Sequence, residues 1–267
     1  YENYTVECWV RPLSFNQNPV ILERPIYTPD NNPMSISDGI RLNFRLGIRT
    51  DGRPYVQYDG QGFDPTVEEP IAIAPYAIQT NTWYHLAGTY DGEAGRLNLY
   101  VNGELADSEE TALIPATGWY QGYPVYFDRG ALVIGARESN PEGYVSGTPI
   151  LVGPEAGLWP GLKVDPNEPE LDRFFHGWID EVRLWDGPRT QAEIKAAMKQ
   201  RMSRADVIAS RELRDSQGYG IPELMSLYTF DDLPDPDHSP IAPDDFTKLN
   251  GRPGDYQYVP WWGLSDL

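Results

Sequence analysis

Alternation with a period of two dominates this chain. Tyr4, Val6, Cys8 and Val10 alternate with Thr5, Glu7, Trp9 and Arg11, which predicts a strand that Pro12 closes. Val20–Glu23 reads as a short second strand. Gly39–Gly47 follows with Ile40, Leu42, Phe44 and Leu46 on one face, Thr50–Arg53 turns, and Tyr55–Tyr58 returns. Trp83–Gly92 runs into Arg96–Gly103 as a hairpin. In its second arm Leu97, Leu99 and Val101 face one way, Arg96, Asn98, Tyr100 and Asn102 the other, and Asn102-Gly103 is a pair that tolerates positive φ. Ala131–Ala136 is a buried-type strand, Phe175–Trp185 a long one, and Leu224–Asp232 the last. Short strands joined by turns predict an all-β, antiparallel two-sheet sandwich.

The helical period appears once with conviction, over Pro188–Met202. Thr190 is the expected N-cap, Glu193 completes a capping box, and Ile194, Ala197, Met198 and Met202 form the apolar stripe. Residues 203–216 are charged and either extend this helix or form a second short one. The remainder is irregular. Residues 107–128 and 138–173 are long Gly-, Pro- and Asn-rich connections carrying Trp119, Tyr120, Tyr123, Tyr126, Tyr144 and Trp159. Residues 233–267 form a Pro-rich arm or linker.

Composition narrows the partners. With 21 basic and 40 acidic residues the net charge is −19, which disfavours nucleic acid and anionic membrane. Cys8 is the single cysteine, so an internal disulfide and a cysteine-only metal site are excluded, and it is expected to act as a small buried hydrophobe. There is no apolar run long enough to span a membrane. Tyr1 stands directly against a strand and shows no secretory signal before it, so the chain is expected to be a fragment of a longer one.

The Trp83–Asp91 hairpin, the Phe175–Trp185 strand and the helix after it resemble the laminin-G-like group of concanavalin A-like jelly rolls, in its bacterial branch, over about residues 1–202. The resemblance implies a jelly roll with one short helix after the last core strand. The strand that opens the family pattern is missing before Tyr1, and a similar one, Leu227–Asp232, follows the helix. Strand 224–231 therefore completes this sandwich, the favoured route, or begins another module, with 203–223 as a helical, charged connector. Members of this fold usually recognise surfaces and sugars, so the resemblance implies binding before chemistry.

Two candidate sites follow. Trp119, Tyr120, Tyr123, Tyr144 and Trp159 are expected to stack on sugar rings, or else to pack the loops onto the sandwich or a neighbour. The family also implies calcium near loop ends, held by carboxylates and carbonyls; Asp91, Asp180, Asp231 and Asp232 are the candidates. Asp180 alternates onto the face of Val182 and Leu184, where a carboxylate needs a cation or N–H donors, unless a bulge near Glu181 turns Ile179 inward instead. Alternatively, Asp91-Gly92 merely makes a turn. Catalytic signals are weak. There is no paired-carboxylate run of the jelly-roll glycosidases, no nucleophile elbow and no phosphate loop. His85, His176 and His238 are scattered, and packing is the expected role of the first two. The expected function is a non-catalytic recognition module of a larger exported, extracellular or cell-envelope protein, binding carbohydrate or a protein surface, with calcium. A structural domain docking onto other domains or subunits is the alternative, and a glycan-active enzyme the third.

Overall fold

The computed structural model describes residues 3–27, 40–60, 68–116, 119–120, 123–124, 132–138, 171–218 and 220–230. In chain order its elements are β1 (Tyr4–Pro12), β2 (Val20–Tyr27), β3 (Ile40–Ile48), β4 (Pro54–Gln57), β5 (Ile71–Ile73), β6 (Tyr84–Asp91), β7 (Arg96–Val101), β8 (Glu104–Glu110), β9 (Trp119–Tyr120), β10 (Tyr123–Pro124), β11 (Val133–Ile134), β12 (Arg137–Glu138), β13 (Leu171–Asp172), β14 (Gly177–Asp186), α1 (Gln191–Ala197), α2 (Arg204–Gln217) and β15 (Glu223–Tyr228). A six-stranded sheet, β15-β14-β1-β6-β7-β8, packs on a five-stranded sheet, β11-β2-β3-β4-β5. The pairings are antiparallel. The two-sheet antiparallel sandwich read from the alternation is the architecture found.

The core lies between the sheets and is built from the alternating positions. Tyr4, Val6, Cys8 and Val10 of β1, Leu86 and Tyr90 of β6, and Leu97, Leu99 and Val101 of β7 meet Leu22, Phe44, Leu46, Ile48, Val56 and Tyr58. Cys8 is fully buried, and burial pushes its thiol well above the ordinary range, so it packs as a hydrophobe. The layers touch closely at Gly88, where a Cβ would stand 2.6 Å from Val56 Cγ2. The Tyr58 and Tyr90 hydroxyls both donate to the Leu113 carbonyl, at 2.6 and 2.9 Å. That shared acceptor pins the segment that leaves β8 and crosses towards the five-stranded sheet.

Two elements differ from expectation, and a third decides between alternatives left open. Residues 107–110, read as the start of a loop, belong to β8; its sequence ELADSEE has no apolar face because it forms a solvated sheet edge. Asn102 (φ 53°) and Gly103 (φ 75°) make the turn that delivers it. The helix is shorter than its pattern: α1 ends at Ala197 and leaves Met202 beyond it. Its Thr190–Glu193 capping box is present. Residues 204–217 form the separate helix α2, started by Ser203, whose N–H and Oγ donate to the Asp206 carboxylate at 2.8 and 2.7 Å. This second helix flanks the edge strand β15. Leu224 N donates to Ser210 Oγ at 3.0 Å, Arg211 pairs with Glu223 at 2.8 Å, and Arg214 joins Asp186 and Glu223 at 2.6 and 3.0 Å.

Candidate functional site

The sandwich has two outer faces, and α1 closes one of them. On β1 the residues opposite the core are Thr5, Glu7, Trp9 and Arg11, and α1 lies across the middle of this face. Ile194 packs on Ala87 and Tyr100, and Trp9 Nε1 donates to the Met198 carbonyl at 2.7 Å. Beneath the helix a charged cluster is sealed from water. Glu7 Oε1 accepts from Trp185 Nε1 at 2.8 Å and from the Arg189 guanidinium at 2.9 Å, while His85 Nε2 stands 3.4 Å from Oε2. Arg183 donates to the carbonyls of Ala197 and Gln200 beyond the helix end, at 2.9 and 2.5 Å, and to Glu181 at 2.7 Å. Burial pushes the Glu7 carboxyl up, but the contact with His85 and the charges of Arg189 and Arg183 outweigh it and hold the group below the usual carboxylate range. This cluster fastens β1, β6 and β14 to α1. His85 takes its packing role here, whereas His176 is exposed, with Nδ1 3.2 Å from Ser14 Oγ.

The outer face of the five-stranded sheet is built differently. At its centre the Tyr55 ring lies across β3 at Gly47, where a Cβ would meet the ring and hydroxyl at 2.8 Å and the Pro19 carbonyl at 2.9 Å. Glycine at 47 is thus a space requirement. Two guanidinium–carboxylate pairs flank the ring: Arg45 Nε to Glu23 Oε2 at 2.5 Å, and Arg137 bidentate to Asp172 at 2.6 and 2.5 Å. Arg24 donates to Asn43 Oδ1 at 3.4 Å, and Asn43 Nδ2 donates to the Ala116 carbonyl at 2.7 Å. Burial pushes the Tyr55 hydroxyl up, against the opposing pull of Arg45, Arg173 and Arg137.

The chain's irregular connections are rooted around this face. The 28–39 connection joins β2 to β3, and 61–67 leaves after Gly60, itself bridged to Pro115. Ala116 N donates to the Asp59 carbonyl at 2.8 Å, which brings the crossing segment to the sheet three residues before β9. β9 and β10 pair with each other, Trp119 opposite Pro124 and Tyr120 opposite Tyr123. β12 pairs with β13 and so anchors both ends of the 139–170 connection.

Of the aromatic set proposed from sequence, the structure therefore gathers Trp119, Tyr120 and Tyr123 into one ribbon. Tyr144 and Trp159 lie outside the described residues. The carboxylate set is not gathered. Asp91 Oδ1 accepts from the N–H groups of Glu93 and Ala94, both at 3.0 Å, in a turn at the end of β6. Asp180 Oδ1 accepts from Glu181 N at 2.8 Å, and a bulge sits there: β1 spends one residue and β14 two between Glu7–Arg183 and Trp9–Asp180, with Glu181 at φ 50°. Ile179 packs against the core. Because Asp91 adjoins Tyr90, the partner of Tyr4, while Asp180 faces Trp9, the two stand roughly 20 Å apart along β1. They do not fit one calcium ion together. Asp231 and Asp232 lie outside the described residues. Among the described residues no three His, Cys, Asp or Glu side chains assemble as a metal site.

Sequence reasoning missed the polar residues around Tyr55. Their signal was faint: arginines and a glutamate on the off-core phase of strands otherwise read for their apolar phase. It also missed an exposed row on the other sheet beyond the reach of α1. Arg11 faces Trp178, its guanidinium 4.8 Å from the ring centroid, and Trp83 follows one place past the Val10–Tyr84 pair.

An antiparallel jelly-roll sandwich with a helix closing one outer face is the class of protein this fold defines. Residues 2–148 match the family described as the concanavalin A-like lectin/glucanases superfamily, in its laminin-G-type branch, and the chain belongs to that family. No curated protein sequence matches it. Among solved structures it is similar to a Bacteroides ovatus protein assigned to carbohydrate binding, at 18% identity and TM-score 0.47, covering 86% of this chain and 46% of that one. The chain thus spans less than half of that relative's length. It is also similar to the pentraxin of Limulus polyphemus (15%, TM-score 0.42, 73% and 68% covered) and to the CBM40 domain of Ruminococcus gnavus IT-sialidase bound to α2,3 sialyllactose (15%, TM-score 0.45, 73% and 82% covered).

Proposed function

We propose that this chain is a non-catalytic carbohydrate-recognition module of a larger exported protein, and that the saccharide lies on the outer face of the five-stranded sheet. The observation that carries the reading is the bidentate Arg137–Asp172 pair on that face, with 27% and 41% of its side chains exposed, beside a buried Tyr55 ring and a buried Arg45–Glu23 pair. Sugar sites combine apolar ring surface with a few fixed polar groups, and paired planar ions offer donors and acceptors at fixed spacing. The opposite sheet is covered at its centre by α1. Trp119, Tyr120 and Tyr123 stand at the end of the segment that Asn43 fixes to this face, and in this reading they supply the stacking wall.

Glycan-array screening followed by calorimetry tests the proposal. Conversion of Trp119, Tyr120 and Tyr123 together to alanine is expected to weaken binding at least about tenfold, since one stacked aromatic contributes about 0.5–1.5 kcal/mol. Undiminished binding by the triple variant removes the stacking wall, and silence across the array removes the sugar. Turnover of a polysaccharide panel would move the chain into the enzyme class. In the same reading a calcium ion draws on Asp231 and Asp232, not on the separated Asp91 and Asp180. Calcium is then expected to raise Tm over that in chelator, and identical melts exclude the ion.

A further inference from the structure

The six-stranded sheet carries exposed aromatics of its own, on the strip that α1 leaves open. Arg11 of β1 pairs with Trp178 of β14, and Trp83 stands one place before Tyr84 of β6, the partner of Val10. Val10, Ile179 and Tyr84 pack into or against the core, so Arg11, Trp178 and Trp83 turn to the outer side. Their row crosses three adjacent strands, and the two indoles stand two strand spacings apart, roughly 10 Å. Trp178 is 38% exposed and Trp83 41%. Scattered single apolar residues are ordinary on a surface, but large aromatics sharing one row mark a place of interaction.

Arg11 is fixed between the indoles. Its guanidinium lies 4.8 Å from the centroid of the Trp178 ring, Nε donates to the Asn81 carbonyl at 3.3 Å, and Nη2 donates to Asn81 Oδ1. Asn81 presents both acceptors from a left-handed conformation at φ 61°, with its own N–H tied to the Pro12 carbonyl at 2.6 Å. Among the described residues Arg11 has no carboxylate partner, and its Nη1 and both indole N–H groups have no acceptor. Spare donors held at a fixed place between two apolar ring faces suit a saccharide: its C–H faces meet the indoles and its hydroxyls meet the donors. The strip is also narrow. Trp9, the next outward position on β1, is about 7 Å from Arg11. Its Nε1 donates to the Met198 carbonyl at the end of α1, so the helix stands as a wall along one side. The two indoles expose roughly 200 Å² between them, whereas each partner of a stable protein complex buries about 800 Å². A thin chain fits this ledge and a broad protein surface does not.

We propose that the Trp178–Arg11–Trp83 row is a second saccharide platform, independent of the five-stranded face, and that it takes an extended β-1,4-linked chain laid across β14, β1 and β6. Such chains are flat ribbons, and separate rings of one ribbon stack on the two indoles. Calorimetry with cello-, xylo-, manno- and chito-oligosaccharides of two to six units tests this. In at least one series the hexamer is expected to bind at least about tenfold tighter than the dimer, because only the longer chain reaches both rings. Trp178→Ala and Trp83→Ala are each expected to weaken hexamer binding about three- to tenfold and to flatten the dependence on length. Both rings are exposed, so Tm is expected to stay within about 2 °C. Arg11→Lys keeps the charge but loses the planar fork, and is expected to weaken the hexamer to a similar extent. Conversion of Trp119, Tyr120 and Tyr123 to alanine is expected to leave the length dependence intact.

Length dependence that survives both tryptophan variants overturns the platform and leaves the reading of the other face standing. Length dependence lost in the Trp119, Tyr120 and Tyr123 variant instead overturns it too, and returns the ligand to the five-stranded face. Binding of no oligosaccharide in any series overturns the inference, while the glycan array still judges the other face. Sedimentation showing a dimer of the natural chain and a monomer of Trp178→Ala gives the row to a second copy of the chain and overturns it as well.

Discussion

Glu7→Gln is expected to destabilise the fold by about 3–5 kcal/mol, the range seen when one partner of a buried ion pair is removed. For a domain of this size that corresponds to a fall in Tm of roughly 10 °C. The loss exceeds that of a surface pair because Glu7 is fully buried and is the acid that Arg189, Arg183 and His85 surround. With a neutral amide there, the buried Arg189 guanidinium keeps its desolvation cost and loses the carboxylate 2.9 Å away, while Arg183 retains Glu181. Trp185 Nε1 retains an oxygen acceptor, so the variant isolates charge rather than shape. The effect has a defined pH signature. The folded-state pKa of Glu7 is depressed, so its contribution is fully present above the unfolded value and is lost as pH falls through the folded one. The gap in Tm between natural chain and variant should be wide at neutral pH and close on acidification below about pH 4.3. Thermal melts across pH check both parts; a variant within 2 °C of the natural chain at about pH 7 would show that the cluster does not hold α1 to the sheet.

Gly47→Ala should damage stability and recognition together. The added methyl would stand 2.8 Å from the Tyr55 ring and 2.9 Å from a backbone carbonyl, so the ring must leave its position. Overpacking of this kind costs about 1–3 kcal/mol. Because the buried ring supports the face that carries the partly exposed Arg137–Asp172 pair, glycan affinity is expected to fall at least about tenfold, a change of about 1.4 kcal/mol. Denaturant melts and calorimetry on one preparation separate the effects. Loss of stability with unchanged affinity would dissociate Tyr55 from the ligand.

The arrangement of the fold was largely legible in the sequence, for a physical reason. A strand with one face in a core must alternate, and Tyr4–Val10, Leu42–Ile48 and Leu97–Val101 announce their buried sides without any knowledge of partners. The Thr190–Glu193 cap was equally local. β8 escaped because a sheet edge has no apolar side to display, and β5, three residues long, is too short to show a period. The bulge at Glu181 was foreseeable only as one of two outcomes, since register depends on what the neighbouring strand places opposite.

The candidate site was less visible. Trp119, Tyr120 and Tyr123 drew notice as aromatics in irregular sequence, and that they share one ribbon is consistent with proximity along the chain. Arg45 and Tyr55 share the β3–β4 hairpin, but Arg137 and Asp172 come from distant stretches, and nothing local links them to it. Asp91 and Asp180 showed the opposite error: two carboxylates at strand positions were grouped by chemistry, and the sheet set them at different ends of β1.

The amino-acid sequence by itself determined two layers, their buried faces and the capped helix, because period and capping are short-range properties of the chain. Only the tertiary structure decided which outer face α1 would cover and which glycine would make room for Tyr55. Those outcomes depend on registers between strands far apart in the chain, where one residue of slip exchanges the buried side for the open one.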